Sequence, residues 1–451
     1  MPDNMWNRLG FRESPYNTKP LTVSKQDVEL LIGRESEQID FLTAIESDKQ
    51  GVFILSGVPG VGKTSFFNIQ QFLLESGEAQ FGQRILAARK LCPIQPSDEP
   101  KHIALRCIQY YSKSIEEYCN TTNRKVPSET SKILEWIHQN KPATINFGIT
   151  VMGTGLSGGR EIHLPPVQST TFETFVEIIE TLAIEVKNEL NFEGSFIVLD
   201  NVENLHEEDL SDCLTTFRDT LFMIPNIWWV LIGQSGLTSL IQSTNPKVFQ
   251  RLSSSIELKP ISVEDLIKAV DIRVKTFHNT EKNGSSPITK EVYLKLFESS
   301  NGEIRFVFKY CHSICINLVQ TVRKILNNQK AKISEENFNK IMGNYLVNNQ
   351  VDNGFSYACL KNIISDEFNG LFLDQNEKLV LKKIGELSKV SPSDYKEFKD
   401  FNIGTLQNFT QKFLIKLKDQ QLLFRRQEGK KVTYELRGIS VFALEYKLLD
   451  A

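Results

Sequence analysis

Eight consecutive residues carry the clearest chemical signal in this sequence. The stretch from Gly57 to Thr64 fits the pattern G-x-x-x-x-G-K-[ST], whose glycines let successive backbone N–H groups turn toward a polyphosphate. An apolar run, residues 52–55, precedes it and a helix-compatible segment follows, so strand, loop and helix occur in the order that this chemistry needs. The predicted nucleotide-binding residues of the loop are Gly57, Val58, Pro59, Gly60, Val61, Gly62, Lys63, Thr64 and Ser65.

Two side chains of this loop have predicted roles of their own. Lys63 is expected to reach the β- and γ-phosphates, and Thr64 is expected to ligate Mg²⁺. The positive end of the following helix points at the same charge. The pattern therefore predicts ATP or ADP as ligand and Mg²⁺ as cofactor.

A second part of the site is expected at the end of another strand. Asp200 ends the apolar run 196–199, which is the position of an acid that holds Mg²⁺ in phosphate-loop enzymes. Hydrolysis also needs a group that polarises water. The residue after Asp200 is Asn201, which is not a base, and the nearest carboxylate is Glu203. Glu203 is the candidate base, and a surface acid is an equal interpretation.

Three more polar residues complete the candidate set. Gln234 follows the apolar run 228–233 and could orient the attacking water. Arg251 precedes a short strand and suits an arginine that is offered to the γ-phosphate of a neighbouring subunit. Arg305 begins a later helix and could fold back on the nucleotide; for each arginine a surface residue is the alternative. The candidate catalytic residues are Lys63, Asp200, Glu203, Gln234, Arg251 and Arg305, and the candidate Mg²⁺ ligands are Thr64 and Asp200.

The order of these features resembles that of AAA+ ATPases. Within them, the chain is similar to the clade of origin-recognition initiators, ExeA-type ATPases and transposon-regulatory ATPases. Residues 9–16 resemble the N-terminal arm of that clade, residues 32–35 (Ile-Gly-Arg-Glu) its GRE box, and residues 230–237 its VLVGQPEL segment. The resemblance covers roughly residues 6–345. It implies that Gly33 and Arg34 line the adenine, and that ATP drives assembly of a homo-oligomer.

The sequence departs from this family at one position that bears on turnover. Asn201 stands where many members have the glutamate that activates water. The phosphate loop therefore predicts ATP binding, whereas the rate of ATP hydrolysis stays open. A nucleotide-gated scaffold without turnover is one alternative. STAND-type signalling ATPases share the loop, the acid-ended strand and a downstream winged helix. They are a second alternative, with a protein effector as partner and no DNA.

Runs of apolar residues separated by helical stretches predict the fold class. They indicate an α/β protein whose parallel sheet is covered by helices on both faces. The predicted domains are an N-terminal arm (1–31), an ATPase core (32–260) with an inserted β-hairpin at about 144–163, an all-helical lid (261–345), a connector (346–373) and a winged helix (374–451).

The C-terminal module differs in charge from the rest of the chain. It holds fifteen Lys/Arg and eleven Asp/Glu, a net of +4 in a chain with a net charge of -3. Three helices followed by a basic hairpin resemble a winged helix, whose third helix enters the major groove. The residues predicted to contact duplex DNA are Lys412, Lys416, Arg425, Arg426, Lys430 and Lys431. A winged helix that binds only protein is the alternative.

The remaining composition predicts a cytoplasmic protein. The seven cysteines form no CxxC pair and indicate reduced thiols. No signal-peptide pattern is present at the N-terminus, and no apolar run reaches the ~18 residues of a membrane span, so no membrane partner is expected.

Overall fold

The computed structural model describes residues 4–79, 83–140, 169–279, 284–401, 403–428 and 431–450, without the side chains of residues 427, 428 and 431. The β-hairpin predicted at 144–163, as well as Lys430, lie outside the described residues. The chain forms two compact units. The first is Pro20–Lys259, and the second combines Met1–Lys19 with Pro260–Ala451.

A parallel sheet forms the centre of the first unit. The strands are β1 Gly51–Gly57, β2 Ile85–Leu86, β3 Cys92–Pro93, β4 Gly194–Asp200, β5 Ile227–Gly233 and β6 Leu252–Leu258. Their order in the sheet is β2-β4-β5-β1-β6, and β3 also pairs with β4. All of these pairings are parallel, which confirms the predicted α/β class.

Helices cover both faces of this sheet. Along β1, Val52 and Ile54 belong to one buried apolar cluster, whereas Phe53 and Leu55 belong to another. Because both faces are buried there, the central strands β1, β4 and β5 are mostly apolar runs. The first cluster includes the helices Pro100–Thr121, Ser128–Gln139, Phe172–Leu190, Glu207–Arg218, Leu237–Thr244 and Pro246–Phe249, and the second includes Glu35–Glu46 and Lys63–Ser76. A short helix, Lys25–Val28, precedes them.

The second unit begins with helices, as predicted for the region after Pro260. Its first helix is capped by Ser262, whose side chain accepts a hydrogen bond from the Asp265 N–H. The aromatic side chains of Trp6, Phe11 and Tyr16 are buried in the same apolar cluster as these helices. The helices are Val263–Phe277, Lys290–Ser299, Ile304–Asn328 and Glu335–Met342.

Two segments differ from the predicted domain organisation. Residues 346–373, interpreted as a connector, form a hairpin (β7 Leu346–Val347, β8 Gln350–Val351) and the helix Asn353–Asn369. This helix buries Leu360 and Ile364 in the core of the second unit, so the segment is part of the fold. The N-terminal arm ends at Lys19, because from Pro20 onward the chain belongs to the first unit.

The C-terminal module has the predicted order of helical segments followed by a hairpin. In its third helical segment Phe409, Leu414 and Leu417 are buried, whereas Leu406 at the start of that segment is 47% exposed. The elements are Gln375–Leu387, the 3₁₀ segment Pro392–Phe401, a helix built from Leu406–Asn408, the π-helical Phe409–Ile415 and Lys416–Asp419, the antiparallel strands β9 Leu423–Glu428 and β10 Lys431–Leu436, and Ile439–Glu445.

All seven cysteines lie among the described residues and are free and buried, as predicted for reduced thiols. Within the described part of the chain, no helix combines the length and the apolar character that crossing a membrane requires.

Candidate functional site

Three strands end together at one edge of the central sheet. The register pairs Ser56 with Gly233 and Asp200 with Ile232. The phosphate loop after β1, the acid at the end of β4 and Gln234 after β5 therefore lie along the same edge. The carboxyl ends of parallel strands are where open α/β sheets bind ligands. The sheet thus brings together the loop and the two strand-end residues that the sequence predicted.

The phosphate loop meets its helix at Gly62. Gly62 has a φ of 101°, a conformation in which an L side chain is strained. It is the N-cap of the helix Lys63–Ser76 and has no side chain that could cap the first-turn N–H groups. A helix N-terminus without such a cap offers its N–H groups and its positive dipole to an anion.

Lys63 lies within the loop that it is predicted to serve. Its ammonium donates hydrogen bonds to the carbonyl oxygens of Gly57, at 2.8 Å, and Val58, at 3.3 Å. Its charge also lowers the pKa of Asp200, so the two groups are electrostatic neighbours. Thr64 follows Lys63 in the first turn of the helix.

The buried side chain of Arg34 is hydrogen-bonded to the backbone of the phosphate loop. It is 4% exposed, and its Nη2 donates to the Val61 carbonyl at 2.9 Å. Its Nη1 donates to the Lys259 carbonyl at 2.8 Å and lies 2.9 Å from the Glu37 carboxylate. The contact of Gly33 and Arg34 with adenine stays a prediction.

Ser65 also has a partner within the protein. Its hydroxyl accepts a hydrogen bond from the Leu21 N–H at 3.0 Å, and Asn68 of the same helix donates to the Leu21 carbonyl at 2.7 Å. Both backbone groups of Leu21 are thus held by the helix that follows the loop. Binding of nucleotide by Ser65 stays a prediction.

Asp200 is a partly buried acid with an altered pKa. Burial raises the pKa of Asp200, and the nearby carboxylate of Glu203 raises it further. The Asn201 N–H, which donates to Asp200 Oδ1 at 3.0 Å, and the charge of Lys63 oppose this shift. Two neighbouring carboxylates in a partly desolvated site fit the oxygen donors that Mg²⁺ prefers.

Glu203 is brought to the same edge by a tight turn. Asn201 has a φ of 58° and precedes the 3₁₀ turn Val202–Asn204. A Cβ added to Gly233 would lie 2.7 Å from Leu237 Cδ2 and 3.1 Å from Glu203 Oε2, so glycine at the end of β5 gives this carboxylate room. Glu203 Oε2 is buried and has no hydrogen-bond partner among the described residues. A buried carboxylate oxygen without a partner is a candidate ligand or base.

The remaining predicted catalytic residues occupy three different places. Gln234 is exposed directly after β5. Arg251 is exposed next to Leu252, which pairs with Val52 at the start of β1, so it lies at the opposite end of the sheet, about 20 Å from the phosphate loop. This distance excludes contact with the phosphates of its own site, and a role in a neighbouring subunit stays a prediction. Arg305 is exposed at the start of Ile304–Asn328 in the second unit, and its role stays a prediction.

Lys416 and Arg426, which were predicted to contact DNA, form ion pairs within the protein. Lys416 forms an ion pair with Glu377, a carboxylate with only 3% of its side chain exposed, and this hydrogen bond raises the pKa of Lys416. Arg426 lies 3.2 Å from the Glu435 carboxylate. Lys412 and Arg425 are exposed. Lys431 belongs to β10, and Lys430 lies outside the described residues.

One buried ion pair beside the site was not predicted. Arg106 and Asp98 have side chains that are 1% and 3% exposed. The sequence contained a signal for it, because Arg106 interrupts the apolar run 103–108 within Pro100–Thr121. A charged residue among buried positions of a helix needs a partner.

No protein-family model matches the chain, and no curated protein matches it either. Among solved structures, the Aeropyrum pernix ORC2 protein in its ADPNP-ADP complexes is 12% identical, with 97% of this chain and 96% of that chain covered and a TM-score of 0.45. The Aeropyrum pernix ORC1 protein in complex with DNA is 16% identical (93% and 94% covered, TM-score 0.40). Cdc6p from Pyrobaculum aerophilum is 13% identical (96% and 96% covered, TM-score 0.36). At these values the similarities establish neither the family nor the function of this chain.

Proposed function

We propose that this protein is an ATP-binding molecular switch of the AAA+ type that hydrolyses ATP slowly. The observation that supports it most is the meeting of the phosphate loop, Lys63, Asp200 and Glu203 at one edge of the sheet. ATP drives assembly of a homo-oligomer in which Arg251 completes a neighbouring site. The C-terminal module, as a winged helix, engages duplex DNA.

In this proposal, each residue of the candidate site has its own role. The uncapped N–H groups after Gly62 and the ammonium of Lys63 bind the phosphates. Thr64 and Asp200 hold Mg²⁺, which neutralises charge on the β- and γ-phosphates when bound. Glu203 accepts the proton of the attacking water through its unpartnered Oε2, and Gln234 orients that water. Glu203 thus acts as the general base, a role that the amide side chain of Asn201 is unable to fill.

The proposal is tested by titrating the purified chain with ATP and ADP, with and without Mg²⁺, and by measuring its mass in solution. We expect nucleotide binding that Mg²⁺ strengthens, and a larger assembly with ATP than with ADP. Duplex DNA is added in a parallel series. Equal mass and equal DNA binding with and without ATP would contradict ATP-driven assembly on DNA.

The DNA-binding part of the proposal has a specific residue-level test. Lys412→Ala is expected to make the negative slope of log K against log salt concentration shallower by about 0.9, because one phosphate contact is lost. The loss should be similar for different DNA sequences, since phosphate contacts carry no sequence information. Fluorescence anisotropy over a salt series measures this. Lys389→Ala, at an exposed lysine outside the predicted set, is the matched control.

The ion pairs of Lys416 and Arg426 favour a second candidate function. Both cations are neutralised by carboxylates of the same module, which weakens the case for DNA. In the alternative, the protein is a STAND-like signalling ATPase that controls a protein effector. It predicts a monomer that retains ADP through purification and binds no DNA at low salt. Nucleotide analysis of the purified protein together with the anisotropy series separates the two.

A further inference from the structure

A loop beside β4 holds the segment that carries the two site carboxylates. β3 pairs Pro93 with Asp200, but this strand is only two residues long. The next residue, Ile94, connects this loop to both Asp200 and Asn204 through its two backbone polar groups. Its N–H donates to the Asp200 carbonyl at 2.8 Å, and its carbonyl accepts from Asn204 Nδ2 at 2.8 Å. Ile94 thus spans the turn that contains Glu203.

The ion pair of Arg106 and Asp98 holds this loop in place. Arg106 Nη1 and Nη2 donate to Asp98 Oδ2 and Oδ1 at 2.6 and 2.9 Å. Nη1 also donates to the Pro93 carbonyl at 2.5 Å, and Asp98 Oδ2 accepts from the Gln95 N–H at 2.7 Å. One guanidinium therefore joins the beginning of the loop to its end.

The helix that carries Arg106 is itself well packed. Arg106 belongs to Pro100–Thr121, whose neighbouring residues Leu105 and Cys107 are buried in the larger apolar cluster of the sheet. A buried ion pair is often no more stabilising than apolar residues of the same volume. What a bidentate arginine supplies is a fixed geometry between two parts of the chain. Stability alone therefore does not account for this pair.

We infer that the Arg106–Asp98 pair is a positioning device for Asp200, the proposed Mg²⁺ ligand, and for Glu203, the proposed base. It fixes residues 93–98, and through Ile94 it fixes the backbone of Asp200 and the turn that carries Glu203. Neither Arg106 nor Asp98 touches nucleotide in this arrangement. The inference rests on the proposed function, because it assumes that Asp200 serves a bound metal.

The test compares nucleotide binding with and without Mg²⁺ in a paired variant. Arg106→Met with Asp98→Asn removes both charges, and the amide oxygen still accepts from the Gln95 N–H. We expect its ATP affinity in EDTA to stay within about twofold of wild type, because the phosphate loop is intact. The additional affinity that Mg²⁺ confers should fall by about tenfold, because Asp200 stays paired with β5 but loses the fixed loop 93–98 on its other side. Calorimetric titration measures both, and circular dichroism checks the fold.

The matched control is a second, partly buried ion pair of the same unit. Arg89 and Glu75 form an ion pair at the far end of the helix Lys63–Ser76, and their side chains are 14% and 11% exposed. Arg89→Met with Glu75→Gln should leave the Mg²⁺ response unchanged. A full response in the Arg106 and Asp98 variant, or an equal loss in both variants, would overturn the positioning role.

A gentler variant covers the case in which the paired variant does not fold. Asn204→Ala removes only the hydrogen bond to the Ile94 carbonyl. It should lower the Mg²⁺-dependent part of the affinity by about two- to fivefold, and an unchanged response would count against the inference. If wild type itself binds ATP without any response to Mg²⁺, the proposed function fails, and the positioning role fails with it.

Discussion

Replacing Glu203 by glutamine is expected to lower the rate of ATP hydrolysis by about two to four orders of magnitude, with ATP affinity unchanged. That range is the usual contribution of a positioned general base. Glutamine has nearly the volume of glutamate, so it fits the space beside Gly233 but accepts no proton from water. Phosphate release measured together with equilibrium ATP binding separates the two effects.

Glu208 provides the control for this substitution. It is an exposed acid in the first turn of Glu207–Arg218, five residues after Glu203. Glu208→Gln should hydrolyse ATP at the wild-type rate. If Glu203→Gln also keeps the wild-type rate, Glu203 is not the base. A wild-type chain that binds ATP without any turnover would instead support a nucleotide-gated scaffold. That alternative arises because Asn201 stands at the position of the usual glutamate.

Lys63→Ala is expected to weaken ATP binding by at least about 100-fold. The substitution removes charge-assisted hydrogen bonds to phosphate, each contributing about 1.5 to 3 kcal/mol, so two of them correspond to 100-fold or more. It also removes the ammonium that holds the carbonyls of Gly57 and Val58. Titration with a fluorescent ATP analogue measures the change.

A lysine at the other end of the same strand controls for general effects of the substitution. Lys49 is exposed and precedes β1, whereas Lys63 follows it. Lys49→Ala should bind ATP as wild type does. If Lys63→Ala retains wild-type affinity, the loop does not bind phosphate in the proposed way. Loss of assembly in Lys63→Ala would link binding to oligomer formation.

The sheet was predictable from the sequence because its strands are buried on both faces. Continuous apolar runs such as residues 228–233 are typical of strands in the middle of a parallel sheet, and a run that ends in an acid places that acid at the sheet edge. Asp200 and Gln234 could therefore be assigned to one edge before their register was known. The helices of the second unit were equally clear, since their apolar spacing and caps such as Ser262 are local signals.

The rest of the site depends on contacts between residues that are distant in sequence. The orientation of Glu203 follows from the left-handed turn at Asn201 and from the space above Gly233, thirty residues later. The brace between Arg34 and Lys259 joins positions more than 200 residues apart. No local pattern encodes such contacts. The helix Asn353–Asn369 was missed for another reason, because apolar residues outside its buried stripe, such as Phe355, Tyr357 and Ile363, reduce the contrast between its faces.

The division of the chain at Lys19 and Pro260 has a consequence for its synthesis. The first unit, Pro20–Lys259, is continuous and can fold as soon as it has left the ribosome. The N-terminal arm emerges earlier, but the helices that bury Trp6 and Tyr16 are translated only after Lys259. Joining these parts across a flexible chain of that length would cost roughly 5 kcal/mol of loop-closure entropy. Compaction of the intervening unit shortens the flexible part, so the arm, which is translated before the first unit, reaches its native contacts only after that unit.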